Sequence, residues 1–286
     1  MKAQIEFDDF HKEDLDRIQK LRLIDDEFLE VVFKDITCTE FLLRTILNKN
    51  DLIVNDVVCQ FDVKNLQGRS VRFDVFAVDD TNTMYDVEIQ RSSAGAIPKR
   101  ARYNSSLMDA NITKRGESYK DLNDSYVIFI TETDVLGYGL PLYTIRRYIE
   151  EVKQPFDDGS RIIYVNSQIQ DYSALGQLMH DFYCTDPDDM FCDVLAKRVS
   201  YFKESEEGVS SMCKMLEEMR EEAVMKDRIK NVVSFYNNGA SISLIAKSMD
   251  MSERTVKEIL SKNSEKQDYA SSKKSSSLGR LNLYED

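Results

Sequence analysis

The sequence predicts a mixed α/β fold, an α+β arrangement around a mixed sheet, followed by a helical C-terminal region. Residues 54–63, 71–78 and 85–90 alternate their side chains with the period of two that is typical of strands. Residues 25–48 and 96–112 place apolar side chains three and four positions apart, as amphipathic helices do. Beyond residue 170 the spacing becomes helical.

The N-terminal segment 25–48 predicts two short helices that pack on the sheet. Its apolar residues are Phe28, Leu29, Val32, Phe33, Ile36, Phe41, Leu42, Ile46 and Leu47. Asp25, Asp26 and Glu27 lie at the start of the first helix, where acidic side chains interact favourably with the positive end of the helix dipole. That interaction is an ordinary explanation for these three acids.

Three strands then form a meander. The first, Val54 to Val63, ends in a turn at residues 65–68, and the polar residues 79–83 form a hairpin loop between the second and third. Alternation places Asp74 on one face of the second strand, and it places Asp86, Glu88 and Gln90 together on one face of the third.

Asp74 and Glu88 are carboxylates inside strand-like apolar runs. A register that pairs them also pairs Val78 with Met84, leaves a five-residue loop and holds their Cβ atoms about 5 Å apart. Two anions at that distance need a cation, and Mg²⁺ prefers oxygen ligands from one or two carboxylates together with a phosphate. This pattern predicts metal-assisted phosphodiester cleavage. The alternative is a half-exposed hairpin that carries acids on its solvent face.

A helix at about residues 96–112 follows, with Pro98 in its first turn. Its predicted buried face comprises Ile97, Ala101, Asn104, Met108 and Ile112. Residues 91–115 contain six cations and the single acid Asp109, which is typical of a surface that contacts a phosphate backbone or of a solvated helix face. Residues 126–131 predict a strand covered on both sides, and residues 162–165 a shorter one.

Several of these segments resemble one family when taken in order. They are Gly68 to Asp74, Asp86 to Arg91, Arg100 to Leu107 and Tyr126 to Glu132. Together they resemble the bacterial PD-(D/E)XK nuclease family transposases, which are related to the Rpn group of recombination-promoting nucleases. The resemblance extends over about residues 20–235. The predicted order of helix, three strands, helix and strand is also that of the PD-(D/E)XK core.

The resemblance implies an endonuclease that acts on double-stranded DNA with Mg²⁺, or Mn²⁺ as a substitute, and promotes recombination. The implied catalytic residues are Asp74, Glu88 and Gln90, and the implied metal ligands are Asp74, Glu88, the Ile89 carbonyl and Asp26. The implied DNA contacts are Lys99, Arg100, Arg102 and Tyr103. Gln90 stands where the family usually has Lys, and an amide supplies neither positive charge nor a proton.

The C-terminal part predicts helices and a helix-turn-helix-like pair. We expect a nuclease-like core at 1–170, a helical extension at 171–236, the helix pair at 237–261 and a disordered tail at 262–286. Ser252 is a predicted N-cap of the second helix of the pair, from which Arg254 and Lys257 would face DNA. Helix pairs that bind nothing are also common.

Composition limits the classes of protein. The net charge of -13 argues against nonspecific coating of DNA. The five cysteines include no CxxC pair, and His180, Cys184 and Cys192 lack a fourth zinc ligand, so core positions are expected for them. No apolar run is long enough to span a membrane, and no signal peptide is recognisable, which favours the cytoplasm. A homodimer is a further expected assembly.

Two alternatives to a nuclease follow from the same sequence. One is a catalytically degenerate protein that retains DNA binding, because Gln90 replaces the family's Lys. The other is a regulator or interaction module that acts through the helix pair at 237–261.

Overall fold

The computed structural model describes residues 12–65, 68–112, 116 and 118–262. Three helices precede the sheet: α1 (Lys12–Lys20), α2 (Asp26–Phe33) and α3 (Ile36–Leu47). The two predicted helices of segment 25–48 are therefore confirmed, whereas α1 is an addition to the prediction. The Asp35 carboxylate accepts a hydrogen bond from the Cys38 N–H and caps α3, which fixes the point where the chain turns from α2 into α3.

A six-stranded mixed sheet forms the centre of the fold. Its strands are β1 (Val54–Val63), β2 (Val71–Asp79), β3 (Met84–Gln90), β4 (Ser125–Thr131), β5 (Leu142–Ile145) and β8 (Ser160–Asn166), in the spatial order β1-β2-β3-β4-β8-β5. The first three strands are antiparallel, β3, β4 and β8 are parallel, and β5 is antiparallel to β8. The strands β6 (Tyr148–Ile149) and β7 (Gln154–Pro155) form a separate small sheet. The predicted fold class is confirmed.

The hairpin between β2 and β3 has the predicted register. Val78 pairs with Met84 and Val75 pairs with Val87, so the next positions along the two strands are Asp74 and Glu88. The strand β4 lies beside β3 and is buried along its whole length, as its nearly continuous apolar sequence predicts.

Helix α4 (Pro98–Ile112) connects β3 to β4 and packs on the sheet. Ala101, Asn104 and Met108 are buried, as predicted. The prediction for Ile97 is wrong, because this side chain is 47% exposed. The residue has an extended backbone between a short 3₁₀ turn and Pro98, so it lies before the helix and does not follow the helical periodicity.

The remaining helices are α5 (Ala174–Asp181), α6 (Asp193–Glu204), α7 (Glu206–Asn237), α8 (Ile242–Ser248) and α9 (residues 253–262). The chain divides into two compact units, residues 1–212 and 213–286. Among the helices described, none is long and apolar enough to traverse a bilayer. The predicted disordered tail began at residue 262, which is wrong for Lys262, because it is the last residue of α9. The rest of that tail, residues 263–286, lies outside the described residues.

Lys203 of α6 joins distant parts of the first unit. Its side chain is buried, and its ammonium donates to the backbone carbonyls of Gln19 at 3.1 Å, Leu21 at 2.6 Å and Thr185. Gln19 in turn donates to the Lys203 carbonyl over 2.7 Å. A buried charge is tolerated when its donors are satisfied, so this lysine fixes the N-terminal helix region against the segment after α5.

Candidate active site

The backbone pairing between β2 and β3 ends just before Asp74 and Glu88. Beyond the Val75 and Val87 pair, the Ile89 N–H donates to Asp74 Oδ2 over 3.0 Å instead of to a backbone carbonyl of β2. The N–H and C=O of one strand residue point towards the same neighbouring strand. The Ile89 carbonyl therefore also points towards the Asp74 side of β3.

Burial excludes the solvent-face explanation for these acids. The side chains of Asp86 and Glu88 are fully buried, and Asp74 is partly buried. Asp74, Asp86 and Glu88 project to the side of the sheet that α4 covers, because Arg100 and Asn104 of α4 contact Glu88 and Asp86. Charged groups are rarely buried without a partner or a function, so this side of the sheet is the strongest candidate site in the described part of the chain.

Arg100 is the cation of this site. Its Nη2 donates to Glu88 Oε2 over 2.6 Å, and its Nη1 donates to Gln90 Oε1 over 3.1 Å and to the Gly95 carbonyl over 2.9 Å. Gln90 also approaches Glu88, with its Nε2 3.4 Å from Oε2. The guanidinium thus lies beside the residue that replaces the family's Lys.

Gly95 permits this arrangement. A Cβ atom at this position would lie 1.9 Å from Gln90 Oε1, which is closer than any real contact, so any other residue would displace the Gln90 side chain. The absence of a side chain at residue 95 therefore lets Gln90 and Arg100 meet over the backbone.

Asp86 and Asn104 form a second polar contact beneath the site that sequence analysis did not assign. Asn104 Nδ2 donates to Asp86 Oδ2 over 3.1 Å, and both side chains are fully buried. The signal for Asp86 was present in the sequence, since it shares a face with Glu88. Asn104 was predicted to be buried, but its partner could be found only once α4 was placed on the sheet.

The three acids hold protons more tightly than free carboxyl groups do. Burial, opposed in part by the Ile89 N–H, raises the pKa of Asp74 to about 6. Burial and the negative charge of Asp74, opposed by Arg100, raise the pKa of Glu88 to about 8. Burial and the charge of Glu88 raise the pKa of Asp86 well above its ordinary value. Such shifts are typical of functional sites, because they keep carboxyl groups ready to exchange a proton for a cation.

The donor atoms present fit a hard divalent cation. Glu88 Oε1 and Asp86 Oδ1 are buried, and neither accepts a hydrogen bond from a backbone or amide donor. A hydrogen bond with Asp86 opposes part of the rise in the pKa of Glu88. Asp74, Glu88 and the Ile89 carbonyl supply oxygen ligands, which Mg²⁺ and Mn²⁺ prefer.

Two further side chains lie near Asp74. Asp26, the first residue of α2, is exposed, and its charge raises the pKa of Asp74. Gln60 of β1 hydrogen-bonds to Asp74 and has a positive φ of 54°, a conformation that is uncommon for residues other than glycine. No feature of the sequence indicated Gln60, because its contact depends on the local backbone of β1.

The four predicted DNA contacts occupy different places. Lys99 and Arg102 are exposed at the start of α4, in agreement with a surface role. Tyr103 is half-buried, accepts a hydrogen bond from Asn65 Nδ2 at 2.9 Å and donates to the Arg69 carbonyl. Arg100 points into the carboxylate site instead of outwards. Lys114 and Arg115 of the predicted basic segment lie outside the described residues.

A second group of possible metal ligands lies at the end of α5. Ligand atoms of His180, Asp181 and Cys184 lie within 4.8 Å of one another, and sequence analysis had not counted Asp181. Asp181 already accepts hydrogen bonds from the backbone N–H groups of Phe191 at 2.9 Å and Cys192 at 2.8 Å. These two contacts account for its complete burial as part of the turn into α6.

A comparison with protein families finds a match over the sheet. Residues 34–174 match the family described as PD-(D/E)XK nuclease family transposase. This segment is similar to that family. The match includes β1 to β8 and α4, and it lies inside the range over which the sequence resembles the family. No curated protein and no solved structure matches the chain.

The acidic pair and Gln90, on which the sequence resemblance rests, lie within the matched segment. The pair is formed by Asp74 on β2 and Glu88 on β3. The strand β3 carries no Lys or Arg, and the guanidinium of Arg100 contacts both Gln90 and Glu88.

Proposed function

We propose that this protein is a metal-dependent endonuclease that hydrolyses phosphodiester bonds of double-stranded DNA and thereby promotes recombination. The observation that carries the proposal is the end of the β2 and β3 backbone ladder at the partly buried Asp74 and the fully buried Glu88. Asp74, Glu88 and the Ile89 carbonyl would hold Mg²⁺, or Mn²⁺ in its place, and Asp26 would support the site from α2. The family match at residues 34–174 supports the same reaction class.

The bound metal would supply a Lewis acid and a water of lowered pKa at the scissile phosphate. The side chains would position the cation and strengthen its electrostatic effect. Glu88 and Asp74 fix the place of the cation, and their burial strengthens every electrostatic interaction in the site by excluding water. The Ile89 N–H holds the Asp74 carboxylate in its orientation over 3.0 Å. Asp86, which accepts a hydrogen bond from Asn104, lies beside Glu88 on the same face of β3.

Arg100 would take over the electrostatic task of the missing Lys. Its guanidinium remains charged at any physiological pH and offers several donors in a fixed plane, which suits the non-bridging oxygens of a phosphate. Gln90 would orient Arg100 through Oε1 and donate from Nε2 to the water or the phosphate. Lys99, Arg102 and Tyr103 would bind the DNA backbone on either side, without reading its sequence.

The test is nicking of supercoiled plasmid DNA in the presence and absence of Mg²⁺ or Mn²⁺. We expect the wild-type protein to nick only with metal, and Asp74→Ala and Glu88→Ala to lose the activity. Asp80→Ala is the matched control, because Asp80 is an exposed acid in the β2 and β3 loop, and it should retain wild-type nicking. Equal nicking by all four proteins would refute the proposal.

The ion pair between Arg100 and Glu88 favours a second candidate, a degenerate nuclease that binds DNA without cutting it. In this case the guanidinium permanently neutralises Glu88 and takes the place of the metal. Titration calorimetry distinguishes the two. Absence of Mg²⁺ uptake together with intact DNA affinity selects the degenerate protein, whereas uptake that is lost in Asp74→Ala selects the nuclease.

A further inference from the structure

The second compact unit contains a small three-helix core. Val232 of α7, Ile245 and Ala246 of α8 and Val256 of α9 are almost completely buried against one another. Partly buried side chains surround them: Ala240, Ile242, Met249, Met251, Ile259 and Leu260. The family match ends at residue 174, so this unit lies outside the part of the chain that the comparison explains.

The turn between α8 and α9 is short and closed at both ends. The Met251 N–H donates to the Ala246 carbonyl over 2.9 Å, with Asp250 at a φ of 51°, which is the left-handed helix ending called a Schellman motif. Ser252 Oγ then accepts the Thr255 N–H over 3.0 Å and caps α9, as the sequence predicts. Four residues therefore separate the two helices, the spacing of a DNA-binding helix-turn-helix.

The outward face of α9 is polar and lies opposite its packed face. Val256 points into the core, whereas Glu253, Arg254 and Lys257 are exposed. These are side-chain types that read base edges in the major groove: Arg and Lys bind guanine, and Glu accepts from cytosine. Ser241 caps α8 through the Leu244 N–H at 3.2 Å, and the exposed Lys247 of the same helix is suited to a phosphate.

The charge of this segment supports a polyanionic partner. Residues 241–262 contain four cations and three acids, whereas the whole chain has a net charge of -13. Arg254 makes an ion pair with Glu258 at 3.0 Å, but its side chain is 88% exposed. An exposed pair of this kind contributes little to stability, so Arg254 can exchange Glu258 for a base or a phosphate at small cost.

We propose that the unit formed by the end of α7, α8 and α9 is a second DNA-binding site. It places α9 in the major groove of double-stranded DNA, with Arg254 and Lys257 towards the bases. In contrast to the nuclease site, this unit binds without metal and supplies sequence preference. It would direct the protein to particular DNA sequences, which the carboxylate site on the sheet has no means to select.

The test measures binding of the full-length protein to duplex DNA by fluorescence anisotropy in EDTA, after selection from a random-sequence duplex library. We expect the wild type to enrich a sequence, and Arg254→Ala/Lys257→Ala to bind that sequence at least about tenfold more weakly. The matched control is Lys226→Ala/Arg228→Ala, which removes two exposed cations from α7 and should stay within about twofold. Unchanged melting temperatures establish that both double variants fold.

Three results would overturn the inference. They are no enrichment by the wild type, equal loss of affinity in the two double variants, and equal binding of single-stranded RNA of the enriched sequence. The outcome is separate from that of the nuclease proposal. Loss of binding in Arg254→Ala/Lys257→Ala in EDTA supports this site even if the wild type fails to nick plasmid DNA. Conversely, metal-dependent nicking by the wild type does not rescue the inference if the binding experiment is negative.

Discussion

Arg100 Nη2 lies 2.6 Å from Glu88 Oε2, and this ion pair joins the exposed start of α4 to a fully buried carboxylate on β3. Among the described residues, it is the ion pair that links a basic side chain to the three acids Asp74, Asp86 and Glu88. We expect Arg100→Ala to lower the rate constant for nicking by about 10²-fold or more, because the transition state loses its fixed positive charge. Arg100→Lys should recover part of the rate.

Single-turnover plasmid nicking at saturating Mg²⁺ measures the effect of Arg100. The matched control is Arg146→Ala, which removes an exposed arginine between β5 and β6 and should leave the rate constant unchanged. If Arg100→Ala nicked faster than wild type, the ion pair would be an obstacle to metal binding and not a part of the active site.

Restoring the family's Lys should depend on what occupies residue 100. In the wild type, Arg100 Nη1 lies 3.1 Å from Gln90 Oε1. In Gln90→Lys the new ammonium would lie beside this guanidinium, and because two positive charges repel each other, we expect lower thermal stability and no gain in nicking. In Arg100→Ala/Gln90→Lys the ammonium should raise nicking about tenfold or more over Arg100→Ala alone. A four-protein mutant cycle measures this coupling, and strictly additive effects would show that the two positions act separately.

Metal affinity should increase with pH. The pKa of Glu88 is raised to about 8 and that of Asp74 to about 6, so between pH 6 and pH 8 the cation must displace about one proton. The dissociation constant for Mg²⁺ should therefore fall by up to about tenfold per pH unit in this window and level off above it. Calorimetry in buffers of different ionisation enthalpy counts the released protons, and a pH-independent affinity would contradict the assignment.

In the metal-free protein, the raised pKa of Glu88 makes the free energy of unfolding decrease as the pH rises, whereas metal affinity increases with pH. Below pH 8 the folded protein binds more protons at Glu88 than the unfolded chain, whose glutamate ionises near its ordinary pKa of 4.5. The free energy of unfolding should thus fall as the pH rises from about 4.5 to 8, as far as this group contributes. Glu88→Gln should lose that component of the pH dependence in urea titrations.

Asp86 should tolerate an amide but not truncation. Burial raises its pKa well above the ordinary range, which favours the neutral carboxyl form in the folded protein. Asp86→Asn keeps an acceptor for Asn104 and should change the free energy of unfolding by less than about 1 kcal/mol. Asp86→Ala leaves the Asn104 N–H unpaired and should cost about 1–3 kcal/mol. Equal costs for the two variants in urea denaturation would contradict this reading.

Lys203 should be important for stability and not for catalysis. Its ammonium donates to three carbonyls, of which that of Leu21 is buried, and Lys203→Met would remove the donor from all three. We expect a loss of roughly 3 kcal/mol or more in the free energy of unfolding. Lys197→Met on the exposed side of α6 is the control and should stay within about 0.5 kcal/mol. A cost at Lys203 as small as that of the control would refute the structural role.

The sequence alone determined the order of the core elements from α2 to β4 and the facing positions of Asp74 and Glu88. Strand alternation has a period of two, so the positions of Val78 and Met84 across a five-residue loop confined Asp74 and Glu88 to one face and to facing positions. The helix pair predicted at residues 237–261 was equally readable, because its predicted N-cap Ser252 acts within the first turn of its own helix.

Only the tertiary structure decided what surrounds those acids. The sequence gives no distance between α4 and β3, so Arg100 was expected to hold DNA, and its place between Glu88 and Gln90 emerged only when the helix packed on the sheet. The burial that raises the pKa of Glu88, the Asn104 partner of Asp86 and the contact of Gln60 depend on elements far apart in the chain. Local periodicity fixes which face a side chain takes, whereas the dielectric and the partners it meets there are set by what packs against that face.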